Sequence, residues 1–191
     1  MYWAIELGRL DILLSVALLA QYLAQPRIGH LQQAFHVFAY LNCHSQSRFI
    51  LDDSLPQVDE NQFVKADWLS FYPDAQEPIP LNAPKPFGNE ILMSCFVNAD
   101  HAGNHVTRWS HTGIIIFCNR VPIIWISKCQ NTVETSTFGL EFITAKIAVE
   151  LIEALRYKLR MFGIPITSPT NMYCDNQSVI TNASHPESTL N

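Results

Sequence analysis

Side chains that bind metal ions stand at three places where a predicted element begins or ends. Asn98 and Asp100 close an apolar, strand-like run, Glu141 lies in the first turns of a predicted helix, and Asp175 follows a second apolar run. Strand ends and a helix start can converge on one point while their apolar faces are buried elsewhere. Because carboxylates gathered in this way hold divalent metal ions, the pattern predicts a metal-dependent site.

Glu141 carries the clearest positional argument. It begins a series that steps by four and three residues along one helix stripe, namely Glu141, Ala145, Ala148, Ile152, Leu155 and Leu159. A carboxylate on a buried stripe must be neutralised, hydrogen-bonded or bound to metal. Two simpler roles stay open. Glu141 would favour the helix dipole at an exposed N-terminus, and Asp175 would be the N-cap of the next helix.

The elements that position these residues follow from hydrophobic periodicity. Residues 91–100 predict a central strand with two apolar faces, residues 113–117 and 121–126 a hairpin, residues 136–161 a helix, and residues 171–174 a short strand before another helix. Upstream, residues 9–24 predict a helix that ends before Pro26. A second helix pairs with it as an antiparallel hairpin and carries the stripe Leu31, Ala34, Phe35, Phe38 and Leu41.

Several sequence blocks resemble the ribonuclease H region of a copia-type (Ty1/copia) retrotransposon polyprotein. They are Phe96-Val97-Asn98-Ala99-Asp100-His101-Ala102-Gly103, Thr107-Arg108-Trp109-Ser110-His111-Thr112-Gly113, Trp125-Ile126-Ser127-Lys128-Cys129-Gln130, Glu141-Phe142-Ile143-Thr144-Ala145 and Tyr173-Cys174-Asp175-Asn176-Gln177-Ser178. Residues 3–12 and 25–31 resemble the segment that joins the reverse transcriptase to that region, and the likeness is weakest over 46–90. The resemblance implies an α/β, ribonuclease H-like mixed sheet with flanking helices, truncated at its C-terminus and preceded by a helical hairpin.

The resemblance also implies a chemistry. Two Mg²⁺ or Mn²⁺ ions would support hydrolysis of RNA in an RNA–DNA hybrid, with Asn98, Glu141 and Asp175 at the family's metal-site positions. Family members carry aspartate where this chain has Asn98, and an amide brings no negative charge. Asp100 is a candidate substitute on the same side of the strand, although its shift of about 6–7 Å along the strand exceeds metal-ligand tolerance. We therefore expect Glu141, Asp175 and Asp100 as metal ligands and an activity that is lost or impaired.

A second departure lies at the C-terminal end. The family continues past a stretch matched by Pro186-Glu187-Ser188-Thr189-Leu190 into a segment with a histidine and a last acidic residue, whereas this sequence ends at Asn191. We therefore expect an incomplete site. The expected partners are a polymerase segment and an RNA–DNA hybrid, and no small-molecule substrate is expected. Two other interpretations stay open, a non-catalytic nucleic-acid or protein-binding module of the same fold and a small enzyme unrelated to mobile elements.

Composition restricts the class of protein further. The chain of 191 residues is 48% hydrophobic and 15% charged, which indicates a folded protein. Its net charge of −5 is unusual for a nucleic-acid binder, but residues 1–90 hold 5 basic and 10 acidic residues and residues 91–191 hold 7 of each. Five cysteines without a C-x-x-C pair indicate reduced thiols and an intracellular location, cytoplasmic or nuclear. The apolar stretch 10–24 is too short to span a bilayer, so we expect no membrane partner.

The chain divides into three predicted regions. Residues 1–45 form the helical hairpin, residues 46–90 an acidic, proline-rich loop and linker, and residues 91–191 the incomplete ribonuclease H-like domain. The carboxylates of the acidic clusters in 46–90 are predicted to be solvated, and a metal site is the alternative. Histidines are predicted to be surface or capping residues, because no set has tetrahedral zinc spacing: His30, His36, His101, His105 and His111. Basic residues near the end of the long helix suit its dipole, with contact to a hybrid backbone as the alternative: Arg156, Lys158 and Arg160.

Overall fold

A computed structural model describes residues 1–63, 67–74, 76–101, 109–130 and 136–187. Within these ranges the chain is an α/β protein with a four-stranded mixed sheet and six α-helices. The strands are β1 Met93–Asp100, β2 His111–Cys118, β3 Val121–Cys129 and β4 Asn171–Cys174. The helices are α1 Tyr2–Glu6, α2 Leu13–Ala20, α3 Ile28–Cys43, α4 Trp68–Phe71, α5 Thr137–Met161 and α6 Gln177–Ser184, with 3₁₀ turns at Leu10–Ile12 and Glu60–Gln62.

The sheet has the strand order β3-β2-β1-β4. β2 lies antiparallel to both β1 and β3, and β4 lies parallel to β1. The predicted hairpin is confirmed, and its two-residue turn places Asn119 at a φ of 54°, a conformation that asparagine tolerates better than most residues. Because a parallel pair needs a crossover connection, the long helix α5 carries the chain from β3 to β4. This arrangement is compatible with the ribonuclease H-like fold that the sequence predicts.

Helix α5 covers one face of the sheet. The register sets Cys95 beside Ile116 and Val97 beside Ile114, so these side chains share that face. All four are buried and pack in one apolar cluster with Ala148 and Ile152 of α5. The predicted helix is confirmed within one residue at its start, where the Ser136 hydroxyl caps it by accepting from the amide of Gly139 at 3.1 Å.

The N-terminal helices cover part of the opposite face. Ile5, Ile12, Val16 and Val37 form a second apolar cluster that packs against Trp125 of β3. The prediction of one helix over 9–24 is wrong in its length, because a 3₁₀ turn precedes α2 and the helix ends at Ala20. The predicted apolar stripe of α3 stays largely exposed at Leu31, Phe35 and Phe38.

Two histidine predictions concern α3. His30 has the predicted capping role, since its Nδ1 accepts from the amide of Arg27 at 3.1 Å. His36 lies on the surface of the helix, as predicted. Neither side chain takes part in a metal-ligating group within the described part of the chain.

Part of the proline-rich segment is held against the C-terminal half. The amide of Phe87 donates to the Gly163 carbonyl at 2.8 Å, and Asp52 pairs with Arg120 at 3.2 Å. The five cysteines are free thiols, in line with the reduced state that the sequence predicts. Of the helices that the structure describes, none has the length and apolar content needed to span a bilayer. The three-region division at 45 and 90 stays a prediction.

Candidate metal centre

Glu141, Cys174 and Asp175 meet at one end of the sheet. One ligand atom from each of the three side chains lies within 4.8 Å of the other two, and no other metal-ligating group occurs among the described residues. Glu141 lies in α5, the crossover helix, and Cys174 and Asp175 lie at the end of β4, the next element in the chain. Two of the predicted site residues, Glu141 and Asp175, are therefore neighbours despite their separation in sequence.

Glu141 is held at the point where β4 stops. The last paired residue of β4 is Cys174, beside Val97, so β1 continues beyond it without a neighbour on that side. The Glu141 Oε1 accepts from the amide of Ala99 at 3.0 Å and so occupies that open edge. The Glu141 side chain is only 6% exposed, which excludes the alternative of a solvated carboxylate at the helix end.

The second oxygen of Glu141 is unusual. Oε2 is buried, and no group among the described residues makes a hydrogen bond with it. Burial raises the pKa of Glu141, the Ala99 amide opposes that shift, and the negative charge of Asp175 adds to it. A buried carboxylate oxygen without a partner costs free energy unless a proton or a cation reaches it. The site therefore favours a positively charged ligand.

Cys174 and Asp175 complete the group from the end of β4. Cys174 is half-buried and Asp175 is exposed. Burial raises the pKa of the Cys174 thiol, while a hydrogen bond from the Asn176 amide opposes that shift. Asn176 caps α6 by accepting from the amides of Ser178 and Val179, so the alternative role of Asp175 as the N-cap is wrong. Asp175 is thus left available to a ligand.

On β1, Asn98 and Asp100 flank Ala99, the residue whose amide donates to Glu141. Both are exposed and, by alternation, project from the sheet face opposite to Val97. Asp100 is paired in register with His111. Burial lowers the pKa of that histidine, and the negative charge of Asp100 opposes this shift. The three-residue ligand group, as far as the chain is described, does not include Asp100. Its role as a substitute ligand stays a prediction.

A buried polar network that the sequence analysis missed fixes the first turns of α5. The Gln130 Nε2 donates to the Thr112 hydroxyl at 2.9 Å and to the Thr144 hydroxyl at 3.2 Å, and it lies 3.5 Å from the carbonyl oxygen of Leu140. Gln130, Thr112 and Thr144 are all buried. Because Leu140 precedes Glu141, the network holds the helix backbone next to Glu141. The signal available in the sequence was a polar residue directly after an apolar strand.

The histidine and arginine predictions have mixed outcomes. His101 is exposed as predicted, and His105 lies outside the described residues. His111 was predicted at the surface, but it is 4% exposed and its Nε2 lies 2.7 Å from the Gln21 side-chain nitrogen of the N-terminal helical region. That prediction is wrong because the N-terminal helices cover this end of β2. Arg156 and Arg160 both pair with Glu77, and their alternative role in hybrid-backbone contact stays a prediction.

Comparison with known proteins gives a limited similarity. The chain is 30% identical over 89 residues to the "Retrovirus-related Pol polyprotein from transposon RE1" of Arabidopsis thaliana and 29% identical over 89 residues to that from transposon RE2. Each match covers 47% of this chain and 6% of the relative's length. No family model and no solved structure matches. The similarity supports the interpretation of the chain as part of a retrotransposon polyprotein.

Replacing Glu141 with glutamine tests the electrostatics of the site. A carboxyl group whose pKa is raised on folding stabilises the fold below its unfolded pKa, and this stability is lost as pH rises through the folded pKa. We expect Glu141→Gln to increase the free energy of unfolding at neutral pH by about 1–2 kcal/mol, with a gain that grows with pH. Urea denaturation at about pH 5 and about pH 8 measures it.

The matched control for this change is Glu150→Gln on the same helix. Glu150 is exposed and faces Lys146 at 3.9 Å, so its replacement should change stability by less than about 0.5 kcal/mol. A Glu141→Gln protein that is less stable than the wild type at both pH values would contradict the assignment of a buried, unneutralised carboxylate.

Proposed function

We propose that this chain is the ribonuclease H-like part of a copia-type retrotransposon Pol polyprotein, and that its hydrolysis of RNA in RNA–DNA hybrids is lost or severely impaired. The observation that carries the proposal is the convergence of Glu141 and Asp175 near the end of β1, where the Ala99 amide donates to Glu141. The similarity to retrotransposon Pol polyproteins supports the polyprotein part of the proposal. The copia type and the ribonuclease H activity come from the sequence resemblance.

Two of the side chains in this group provide ligands that suit a divalent cation. The buried, unpartnered Glu141 Oε2 and the exposed carboxylate of Asp175 are oxygen ligands of the kind that Mg²⁺ and Mn²⁺ take. When bound, such ions stabilise the charge that develops on a phosphodiester and generate a nucleophilic hydroxide. Glu141 and Asp175 would hold the ion, and the Ala99 amide would keep Glu141 in place.

The impairment follows from Asn98. A carboxylate at this strand end would add a third negative charge to the site, whereas the amide of Asn98 is neutral. Loss of a charge that two cations share weakens the binding of both. Asp100 does not restore it by position, because it lies one strand repeat further along and beside His111.

A non-catalytic binding module of the same fold is the second candidate. Asn98 favours it, because a neutral amide repels a phosphate backbone less than a carboxylate does. The ligand would be an RNA–DNA hybrid, another nucleic acid or a protein partner from the same polyprotein. Hybrid binding without cleavage separates this candidate from an active nuclease.

The decisive experiment compares the full chain with its Asn98→Asp variant. Cleavage of a labelled RNA–DNA hybrid is measured with Mg²⁺ and with Mn²⁺, and binding of the same hybrid is measured without metal. We expect no turnover by the unaltered chain and a partial return in Asn98→Asp, by about tenfold or more above background. The added carboxylate restores the charge that the cations share.

Two controls make this result specific. Adding Glu141→Gln to Asn98→Asp should remove the regained activity, since the activity would depend on an ion held by Glu141. Asp100→Asn in the unaltered chain tests whether Asp100 supplies residual activity. Robust cleavage by the unaltered chain would refute the impairment, and the absence of both cleavage and hybrid binding in every variant would refute the proposed function.

A further inference from the structure

We infer that Glu141, Cys174 and Asp175 form a binding site for a thiophilic divalent cation such as Zn²⁺, with one sulfur and two carboxylate ligands. The proposed function uses only the oxygen ligands of this pocket, so the inference goes beyond it and requires no cleavage of nucleic acid. A cation bound through the Cys174 sulfur would occupy the same space as a catalytic Mg²⁺. Thiophilic metal would therefore compete with any hybrid-directed activity of this chain.

Glu141 supplies a buried carboxylate oxygen to the proposed cation site. Glu141 is more than nine-tenths buried, and its Oε2 has no hydrogen-bond partner in the part of the chain that the structure describes, although the Ala99 amide donates to Oε1. The oxygen therefore cannot turn away without breaking the hydrogen bond of its neighbour. A ligand that brings positive charge to Oε2 removes the cost of leaving it unpaired.

The Cys174 side chain directs its sulfur toward the same site. Its register partner Val97 faces α5, and Cys174 packs at the margin of the same apolar cluster. The sulfur therefore points to the side of the sheet from which Glu141 projects, and its ligand atom lies within 4.8 Å of those of Glu141 and Asp175.

One sulfur and two carboxylate oxygens form a ligand set that suits a thiophilic cation. Thiolate ligands select Zn²⁺ and similar cations, whereas Mg²⁺ takes oxygen ligands and keeps its waters. Three protein ligands and one open position are the arrangement of zinc sites that keep a bound water. Ligand atoms around tetrahedral Zn²⁺ lie roughly 3.5 Å apart, so the group must close by about 1 Å, which the exposed Asp175 permits. Binding releases the thiol proton to water.

Titration of the full chain with Co²⁺ as the spectroscopic probe tests the site. A cobalt–sulfur bond produces a near-ultraviolet charge-transfer absorption that carboxylates alone do not give. We expect this band in the unaltered chain, its persistence in a large excess of Mg²⁺, and its removal by Zn²⁺. No hybrid is present, so the result is independent of the proposed nuclease or binding activity.

Variants locate the band on the chain. Cys174→Ser should abolish it, and Asp175→Asn, at an exposed side chain, should weaken Co²⁺ binding by about tenfold or more without unfolding the protein. Cys43→Ser is the matched control, because Cys43 is the exposed thiol and lies outside the group. Far-ultraviolet circular dichroism verifies that each variant is folded.

The outcomes are distinct. A band that is lost in Cys174→Ser and kept in Cys43→Ser supports the site. No band in the unaltered chain, or a band that survives in folded Cys174→Ser, overturns it. Hybrid cleavage or binding measured separately can then succeed or fail without changing this conclusion.

Discussion

Replacing Arg156 with alanine is expected to lower the free energy of unfolding by about 2–4 kcal/mol. The Arg156 side chain is 9% exposed, and its guanidinium donates to both carboxylate oxygens of Glu77 at 2.8 Å. It also donates to the Ser168 carbonyl and the Thr170 hydroxyl. Truncation would leave these acceptors unpaired and open a space under the proline-rich segment, and only Arg160 would remain to neutralise Glu77.

Lys158 supplies the matched control for this experiment. It is a basic, exposed residue in the last turn of the same helix, so Lys158→Ala should change stability by less than about 0.5 kcal/mol. Urea denaturation of both variants beside the unaltered chain measures the difference. Equal stability of Arg156→Ala and Lys158→Ala would show that the Glu77 contacts contribute nothing, contrary to the expected result.

The Glu77 contacts also give a sign to the pH dependence. Hydrogen bonds from Arg160 and Arg156 lower the pKa of Glu77 from 4.5 to about 2. A carboxyl group with a depressed pKa stabilises the fold above its unfolded pKa, and this stability is lost as pH falls toward 2. Because Glu77 is partly exposed, solvent screening reduces its contribution to about 1–2 kcal/mol. The pKa of Glu141 is shifted in the opposite direction, so acid weakens the ion pairs of Glu77 but neutralises the buried carboxylate of Glu141.

Replacing Ile116 with alanine is expected to lower the free energy of unfolding by about 3–4 kcal/mol. Ile116 is fully buried in the middle of β2, between Cys95 of β1 and Ile124 of β3. Its side chain belongs to the apolar cluster beneath Ala148 and Ile152 of α5. The cavity left by three missing carbons would lie between the sheet and α5, where neither layer can close it without shifting the other.

Ile50 is the matched control for the core substitution. It has the same side chain but is 72% exposed, so Ile50→Ala should leave stability within about 0.5 kcal/mol of the unaltered chain. Thermal or urea unfolding distinguishes the two. A small loss in Ile116→Ala would mean that α5 does not pack on this face of the sheet, and the position of Glu141 would then lack its support.

The elements around the site could be predicted from sequence because their signals are local. The stripe from Glu141 to Leu159 and the alternation in 91–100 and 113–126 are periodicities, and they led to a helix, a strand and a hairpin that the structure contains. The burial of Glu141 also followed from its place on that stripe. The 9–24 prediction failed where periodicity was absent, since a run that is apolar on nearly all sides does not fix where a helix begins.

What the sequence by itself determined was the order of the elements from β1 to β4 and the apolar side chains of β1 and α5 that face the core. Tertiary structure alone decided that His111 is covered by the N-terminal helices and that Arg156 pairs with Glu77. It also decided that β4 stops beside Val97, which leaves the Ala99 amide for Glu141. These contacts join residues far apart in the chain, and no local propensity specifies which distant groups a fold will bring within a hydrogen bond.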